Sequence, residues 1–475
     1  MRFIHTADWH LGNSMYRIDR ASEADAFLAW LKERIVAEKA DALIVSGDIF
    51  DTVNPPTEAR RKYFSFLSSL KETECRTVII TGGNHDSGML LDAPAAVLED
   101  LGGLSVHVVG SMGERSVEEA VFEIRDAAGE VCGICAALPY MREMDLRRLV
   151  SEPGVLADSA KNADGSASGA CSADSEPEEL MRNVYTRAFE AAEKLRAGRD
   201  IPIVATGHLY AADLEGRNAD GVASSATAAQ NPEFDDTSDD GVKPLDIIGK
   251  LGRIHSSVFP AGLDYVALGH IHYTTMVAKN PKIRYSGSPF VLGFDEANIP
   301  HHVLCVEAEW EKQPDVTKLE VPQTLHFTRV SGTAAEIAEK LMALSGVSER
   351  PLQNLYVEVC SVPEPGVDIH EVLENILKDA PFTVANWKIQ RTASLPAGEL
   401  YETGLDGAGQ LTEKDVFSML VKAKLGVDEN SDEYKSCMEE LLPLFMEIAH
   451  GISVGDDGAE TANNGAQAAD KGGNL

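Results

Sequence analysis

Five short apolar segments of the chain each end abruptly in an aspartate, asparagine or histidine. Apolar runs of about four to eight residues are typical of strands that a sheet buries on both faces. In chain order, the five endings are Asp8-Trp9-His10, Ser46-Gly47-Asp48, Gly83-Asn84-His85, Gly207-His208 and Gly269-His270-Ile271-His272. One such ending is an ordinary turn, but five in one chain indicate a site assembled from the ends of several strands.

Helical patterns separate the first three of these strands and restrict how they pair. Apolar residues recur at three- and four-residue spacing over about 21–38, and a second helix follows Pro55 and Pro56. This β-α-β-α-β order predicts parallel strands joined by right-handed crossovers. Further strand patterns extend the predicted α/β domain over residues 1–320.

The sequence beyond residue 320 has a different pattern. Strands alternate with helices over 321–392, which predicts a small α+β domain. Residues 393–410 contain Pro396 and four glycines and are expected to form a linker. We expect a pair of helices over 411–450 and a disordered tail over 451–475, because the tail is small, polar and acidic.

The formal net charge of −34 argues against a protein that grips nucleic acid through a general basic surface. Acidic residues are concentrated in 213–240 and beyond 428, so a local basic groove is compatible with this charge. Two stretches rich in small and polar residues, 154–178 and 212–242, are expected to be flexible insertions in the first domain.

Neither a membrane span nor a secretory leader is indicated by the sequence. No apolar run reaches the roughly 18 residues that a span needs, and the residues after Met1 lack a signal-peptide pattern. The seven cysteines do not form a disulfide framework, so we expect a cytoplasmic protein. Cys132 and Cys135 are expected to be core thiols of a buried strand, with a zinc or redox site as the lesser alternative.

The polar strand endings predict a metal site. Ligands of parallel sheets bind beyond the carboxyl ends of the strands, where these residues are brought together. Imidazole nitrogens combined with carboxylate and amide oxygens suit Mn²⁺, Fe²⁺ or Zn²⁺. Seven ligands are too many for one ion with open positions but fit two ions that share a carboxylate, for which Asp48 is the natural bridge. The predicted ligands are Asp8, His10, Asp48, Asn84, His208, His270 and His272.

Two metal ions about 3.5–4 Å apart promote in-line displacement at phosphorus. His85 adjoins the ligand Asn84 and is the histidine left over, so we expect it to protonate the leaving alkoxide or hold the scissile phosphate. Asp86 is expected to orient His85. A lone histidine at a strand end is usually structural, and the prediction therefore rests on the joint pattern.

The same motifs resemble those of the calcineurin-like metallophosphoesterases and, within them, the SbcD family of bacterial nuclease subunits. That family is related to the double-strand-break nuclease of eukaryotes and archaea. The resemblance covers about 1–310 strongly. It is carried by His5-Thr6-Ala7-Asp8-Trp9-His10-Leu11-Gly12, Ser46-Gly47-Asp48-Ile49-Phe50-Asp51, Gly83-Asn84-His85-Asp86-Ser87, Asp264-Tyr265-Val266-Ala267-Leu268-Gly269-His270-Ile271-His272 and Arg284-Tyr285-Ser286-Gly287-Ser288-Pro289.

This resemblance implies a β-sandwich flanked by helices, two manganese ions and His85 as the catalytic histidine. One ion would be held by Asp8, His10, Asp48 and His272, and the other by Asp48, Asn84, His208 and His270.

The resemblance also implies partners and activities. An SbcC-like coiled-coil ATPase would bind the helix pair of 411–450, and 321–392 would form a DNA-capping domain. Two copies would pair through helices near 55–70 and 88–101 within a heterotetramer. The implied activities are 3′→5′ exonuclease action on duplex DNA and endonuclease action on single strands and hairpins, in DNA repair, replication and recombination. The alternatives are a phosphatase or cyclic-nucleotide phosphodiesterase acting on small substrates, and a non-catalytic adaptor.

Overall fold

The computed structural model describes residues 1–99, 101–151, 175–211, 254–346, 354–364, 367–378 and 380–389, with isolated positions between 417 and 442. Contacts divide the chain into two compact units, Met1–Gln390 and Arg391–Leu475. The predicted linker (393–410) and tail (451–475) lie outside the described residues, as do most of the helix pair (411–450) and of the two insertions.

Fifteen strands are found in the first unit among the described residues. They are β1 (Arg2–Thr6), β2 (Ala42–Ser46), β3 (Thr77–Thr81), β4 (Ser105–Val109), β5 (Val121–Arg125), β6 (Val131–Ala136), β7 (Ile203–His208), β8 (Tyr265–Gly269), β9 (Thr275–Met276), β10 (Ile283–Tyr285), β11 (His302–Glu307), β12 (Asp315–Glu320), β13 (His326–Gly332), β14 (Leu355–Ser361) and β15 (Thr383–Ile389).

Eight α-helices accompany these strands in the described part of the unit. They are α1 (Ala21–Ala37), α2 (Thr57–Leu70), α3 (Gly88–Asp92), α4 (Ala95–Leu98), α5 (Glu143–Val150), α6 (Pro177–Arg196), α7 (Ala334–Gly346) and α8 (Ile369–Lys378). Helix α6 begins at Pro177, so the last two residues of the predicted insertion 154–178 belong to this helix. Among the described residues, no helix is long and apolar enough to cross a membrane.

Two six-stranded sheets form the larger part of the first unit. The first has the order β12-β11-β1-β2-β3-β4 and the second the order β5-β6-β7-β8-β10-β9. Strands β1 to β4 pair in parallel, which confirms the prediction of parallel strands, whereas β11 pairs antiparallel with β1.

Alternation along the buried strands places one side of the first sheet against the second sheet. Phe3 and Ile44 belong to the core shared with the second sheet, whereas their neighbours Ile4 and Val45 pack in the core that includes residues of α1 and α2. Successive side chains of a strand point to opposite faces of the sheet. Because both faces of these strands are buried, both sets of side chains are apolar, and the sequence shows a continuous apolar run. The predicted β-sandwich flanked by helices is confirmed.

A third, three-stranded parallel sheet has the order β13-β14-β15. Helices α7 and α8 cover one face, where Ile337, Leu341 and Leu373 pack against Val357 and Val359. These elements show the alternation of strands and helices that the sequence predicts for 321–392.

The prediction of a core thiol is confirmed for Cys135, whereas Cys132 is only partly buried. Cys135 is buried, and burial raises the pKa of its thiol.

Candidate metal centre

The structure brings all seven predicted ligands and His85 to one place. Asp8, His10, Asp48, Asn84 and His85 follow strands of the first sheet. His208 ends β7, and His270 and His272 follow β8, so these three come from the second sheet. The site therefore lies across the carboxyl ends of both sheets.

Direct hydrogen bonds join the two sheets at this site. The backbone N–H of His270 donates to the Asp8 carboxylate, with N···O distances of 2.9 and 3.1 Å. His208 Nδ1 lies 3.0 Å from the carbonyl oxygen of Ser46. Because backbone groups make both contacts, the folding of the sandwich itself sets the separation of the ligands.

Four of the predicted ligands adopt the left-handed backbone conformation, which is uncommon for residues other than glycine. Their φ angles are +54° for Asp8, +42° for His10, +50° for Asp48 and +99° for His270. Such conformations cost about 1–3 kcal/mol each and cluster at functional sites. The backbone thus turns sharply after the strands and directs these side chains into one space.

Two glycines of the motifs are required by close approach to the ligands. Gly47 has φ +87°, and a Cβ there would overlap the ring of His208. A Cβ at Gly83 would overlap the Asp48 carboxylate. The Gly47-Asp48 and Gly83-Asn84 pairs are therefore part of the ligand geometry.

Buried polar atoms at the centre of the site fit a divalent ion. His10 is 4% exposed, yet neither of its ring nitrogens has a hydrogen-bond partner among the described residues. Its Nε2 lies 3.5 Å from Asp48 Oδ2, and His208 Nε2 lies 3.3 Å from the same oxygen. A buried imidazole without hydrogen bonds costs free energy, and coordination to a metal would satisfy it. Asp48 stands between histidines of the two sheets, as a bridging ligand would.

Asn84 connects the two histidines assigned to the second ion. Its Oδ1 lies 3.0 Å from His208 Nε2 and 3.0 Å from His270 Nδ1. Three candidate ligand atoms of three different strand ends thus converge on one point. Groups of carboxylate and imidazole atoms within 4.8 Å of one another are Asp8–His10–His272, Asp8–Asp48–His208 and His10–Asp51–His85.

Opposing effects of burial and charge set the pKa values in this cluster. Burial acts to lower the pKa of His208, but the Asp48 carboxylate outweighs it and raises that pKa to about 9. Burial likewise opposes the hydrogen bond with Glu296, which raises the pKa of His272 to about 9. For His270, burial and then the charge of His208 lower the pKa to about 3. Burial acts to raise the pKa of Asp48, but the charge and hydrogen bond of His208 lower it.

The prediction that Asp86 orients His85 is wrong. The buried Asp86 carboxylate instead accepts backbone N–H groups of Gly83, Ile49 and Phe50, at 2.9, 3.0 and 2.9 Å. Burial, followed by the charge of the nearby Asp48, raises the pKa of Asp86 to about 6. Its role is to hold together the two loops that carry the central ligands.

Asp51 supplies the contact that the sequence assigns to Asp86. Its backbone carbonyl oxygen lies 2.9 Å from His85 Nδ1, and its Oδ1 lies 3.3 Å from His10 Nδ1. The backbone N–H of His85 also donates to Asp48 Oδ1 over 2.9 Å.

Glu296 was also missed by sequence reasoning. Its Oε1 lies 2.9 Å from His272 Nδ1, which leaves Nε2 for a metal. A histidine ligand commonly has its second nitrogen held in this way. Asp51 lies inside the motif that begins at Ser46, so the sequence contained a signal for it. Glu296 lies in a loop outside all of the motifs, and no sequence signal pointed to it.

Comparison with known proteins agrees with this geometry. The family described as calcineurin-like phosphoesterase matches residues 1–129. A protein of Rhodobacter capsulatus, named as the SbcD component of the SbcCD nuclease, is 31% identical over 401 residues, covering 82% of this chain and 88% of that protein. The chain belongs to the SbcD family.

Other relatives with the same name support this assignment. The Escherichia coli protein is 29% identical over 453 residues, covering 95% of this chain and 99% of its own. The Bacillus subtilis protein is 29% identical over 314 residues, covering 65% of this chain and 66% of its own. As an SbcD family member, the chain is a metal-dependent nuclease subunit built on a metallophosphoesterase domain, and its family uses divalent metal ions.

Proposed function

We propose that this SbcD family member hydrolyses DNA phosphodiester bonds with two divalent ions, and that these ions are Mn²⁺. The convergence of seven nitrogen and oxygen ligands at one site carries the proposal. Among them is the buried imidazole of His10, whose nitrogens lack hydrogen bonds within the described residues. The proposed activities are 3′→5′ exonuclease action on duplex DNA and endonuclease action on single strands and hairpins. We place them in DNA repair, replication and recombination.

The ligands divide into two sets that share Asp48. Asp8, His10, Asp48 and His272 would hold one ion, and Asp48, Asn84, His208 and His270 the other. When bound, two such ions neutralise charge on the transferring phosphoryl group and acidify the attacking water.

His85 is proposed as the catalytic residue. Its Nδ1 is held by the carbonyl oxygen of Asp51, so Nε2 is the nitrogen assigned to the leaving oxygen. With Nδ1–H donated to this carbonyl, the Nε2–H of the ring would transfer its proton to the departing alkoxide. The His85 N–H bond to Asp48 Oδ1 fixes the backbone of this residue against a metal ligand.

The remaining segments are assigned to DNA and to a partner. The α+β domain of 321–392 would cap the DNA, and the helix pair of 411–450 would dock on an SbcC-like coiled-coil ATPase. Two copies would pair through α2, α3 and α4 within a heterotetramer. Exposed Met89 and Val97, 85% and 75% accessible, lie on this proposed pairing surface.

Incubation of the purified protein with Mn²⁺ and end-labelled DNA tests the proposal. Linear duplexes labelled at either 3′ or 5′ ends, a hairpin and a small phosphodiester would be compared, with and without the ATPase and ATP. A 3′→5′ exonuclease releases the 3′ label first and shortens the 5′-labelled strand progressively. Absence of DNA degradation even with the ATPase present, together with rapid cleavage of the small diester, would favour the small-substrate alternative.

A further inference from the structure

The three-stranded sheet is docked on the sandwich through a small apolar cluster, here called the joint. Phe327 of β13 is 5% exposed and packs with residues that follow β1 and β10. The ring centroids of Phe327 and Phe294 are 5.7 Å apart in an edge-to-face arrangement. The joint consists of Met15, Ile18, Val291, Phe294, Leu325 and Phe327.

One side of the joint is a loop that carries a partner of a metal ligand. Phe294 and Glu296 lie on this loop, two residues apart. Glu296 Oε2 accepts the backbone N–H of Leu292 at 2.7 Å, while Oε1 lies 2.9 Å from His272 Nδ1. The Glu296 side chain is 13% exposed. Glu296 therefore bonds to the backbone of its own loop as well as to His272. Because Phe294 of the same loop is packed in the joint, the joint also constrains the position of Glu296.

The other side of the joint reaches His10. The guanidinium carbon of Arg20 lies 5.5 Å from the ring centroid of Phe327, and Nη1 donates to the carbonyl of Val291 at 2.7 Å. The same Nη1 lies 3.3 Å from Asn13 Oδ1.

Asn13 continues this connection. Its Nδ2 donates to Asp51 Oδ1 at 2.9 Å, and that oxygen lies 3.3 Å from His10 Nδ1. Two chains of contact thus run from one phenylalanine of the small domain to two histidines of a single proposed metal site. The ring centroids of His10 and His272 are 5.4 Å apart.

We infer that Glu296 is a positioning residue for His272 and that docking of the three-stranded sheet through Phe327 holds it in place. The inference rests on the proposed metal assignment. It predicts that metal affinity at the site of Asp8, His10 and His272 depends on the joint, whereas metal affinity at the site of Asn84, His208 and His270 does not. The placement of the small domain thereby determines how well one of the two ions is held.

Binding of Mn²⁺ to the full chain, measured by electron paramagnetic resonance of the free ion, tests this inference. The unaltered protein is expected to bind two ions. Glu296→Ala should lower the affinity for one of these ions by about 10- to 100-fold and leave the affinity for the other unchanged. Glu296→Gln keeps an oxygen acceptor for Nδ1–H and should recover part of the loss, which a merely structural role would not produce.

Asp264→Ala is the matched control for Glu296→Ala. Asp264 is a buried carboxylate whose oxygens accept backbone N–H groups of Ile203 and Glu311, outside the site. This variant should lose stability but retain both ions.

Phe327→Ala tests the joint and should lower the affinity for the same ion by about 2- to 30-fold. Phe382→Ala is its control, because Phe382 is buried in the core between the small sheet and its helices. Phe382→Ala should leave the affinity for both ions unchanged. If Phe327→Ala does not fold, Phe327→Leu replaces it, because leucine keeps the joint apolar but removes the aromatic ring.

The outcomes separate this inference from the proposed function. Two tightly bound ions in both Glu296→Ala and Phe327→Ala would overturn the inference and leave the metal assignment standing. Equal weakening of both ions would also overturn it, because the effect would not be specific to one site. Fewer than two ions in the unaltered protein would overturn the metal assignment and the inference with it.

Discussion

Replacing Gly47 with alanine is expected to remove one metal ion by displacing a histidine that the mutation does not alter. Gly47 has φ +87°, and a Cβ at this position would overlap the His208 ring. Because His208 ends the buried strand β7, its imidazole has to move rather than its backbone. The proposed ion of Asn84, His208 and His270 would then lose a ligand, whereas the other site would keep all of its own.

The cost in stability follows from the same contacts. An alanine in the left-handed conformation costs about 1–2 kcal/mol. Displacement of His208 loses its contacts with the Ser46 carbonyl and with Asn84 Oδ1, each 3.0 Å long and each worth about 1 kcal/mol. The free energy of unfolding of the metal-free protein should therefore fall by about 3–4 kcal/mol.

Urea unfolding and Mn²⁺ binding of two variants measure this effect. Gly129→Ala is the control, because Gly129 has φ +86° but no atom within 4 Å of the added Cβ. It should lose only the conformational cost of about 1–2 kcal/mol and keep both ions. If Gly47→Ala matched Gly129→Ala in stability and also bound two ions, the proposed contact between the Gly47 turn and His208 would be refuted.

Four further predictions concern protons and the loops of the site. His85→Ala should abolish Mn²⁺-dependent phosphodiester cleavage while retaining two bound ions, and unchanged cleavage would refute its catalytic role. The pKa values of about 9 for His208 and His272 mean that protons compete with metal, so Mn²⁺ affinity should rise between about pH 6.5 and 9, as titration calorimetry would show. Since both pKa values are raised on folding, the metal-free protein should also lose stability over this range, and a flat urea midpoint would contradict them. Asp86→Ala leaves three buried backbone N–H groups without an acceptor and should lower the urea midpoint. A variant with an unchanged urea midpoint but impaired phosphodiester cleavage would instead show that Asp86 orients His85.

The strand-end residues could be predicted because their signal is local. Each polar ending follows an apolar run in the sequence, and parallel strands bring their carboxyl ends to one edge regardless of separation along the chain. Asp8, Asp48 and Asn84 could therefore be placed together from the fold class alone, because they follow neighbouring parallel strands of the first sheet.

The contacts around the ligands could not be predicted in the same way. Whether Asp51 or Asp86 reaches His85 depends on the direction in which a loop turns, and both residues occupy equally plausible sequence positions. Glu296 belongs to a loop without periodicity, and its contact with His272 depends on how that loop folds and packs. The division of the strands between two sheets likewise depends on tertiary packing.

Anomalous diffraction from a crystal of the unaltered protein grown with Mn²⁺ tests the two-ion centre most directly. We expect two manganese peaks on either side of the Asp48 carboxylate, one near His10 and His272 and the other near His208 and His270. A single peak, or peaks away from Asp48, would contradict the two-ion centre.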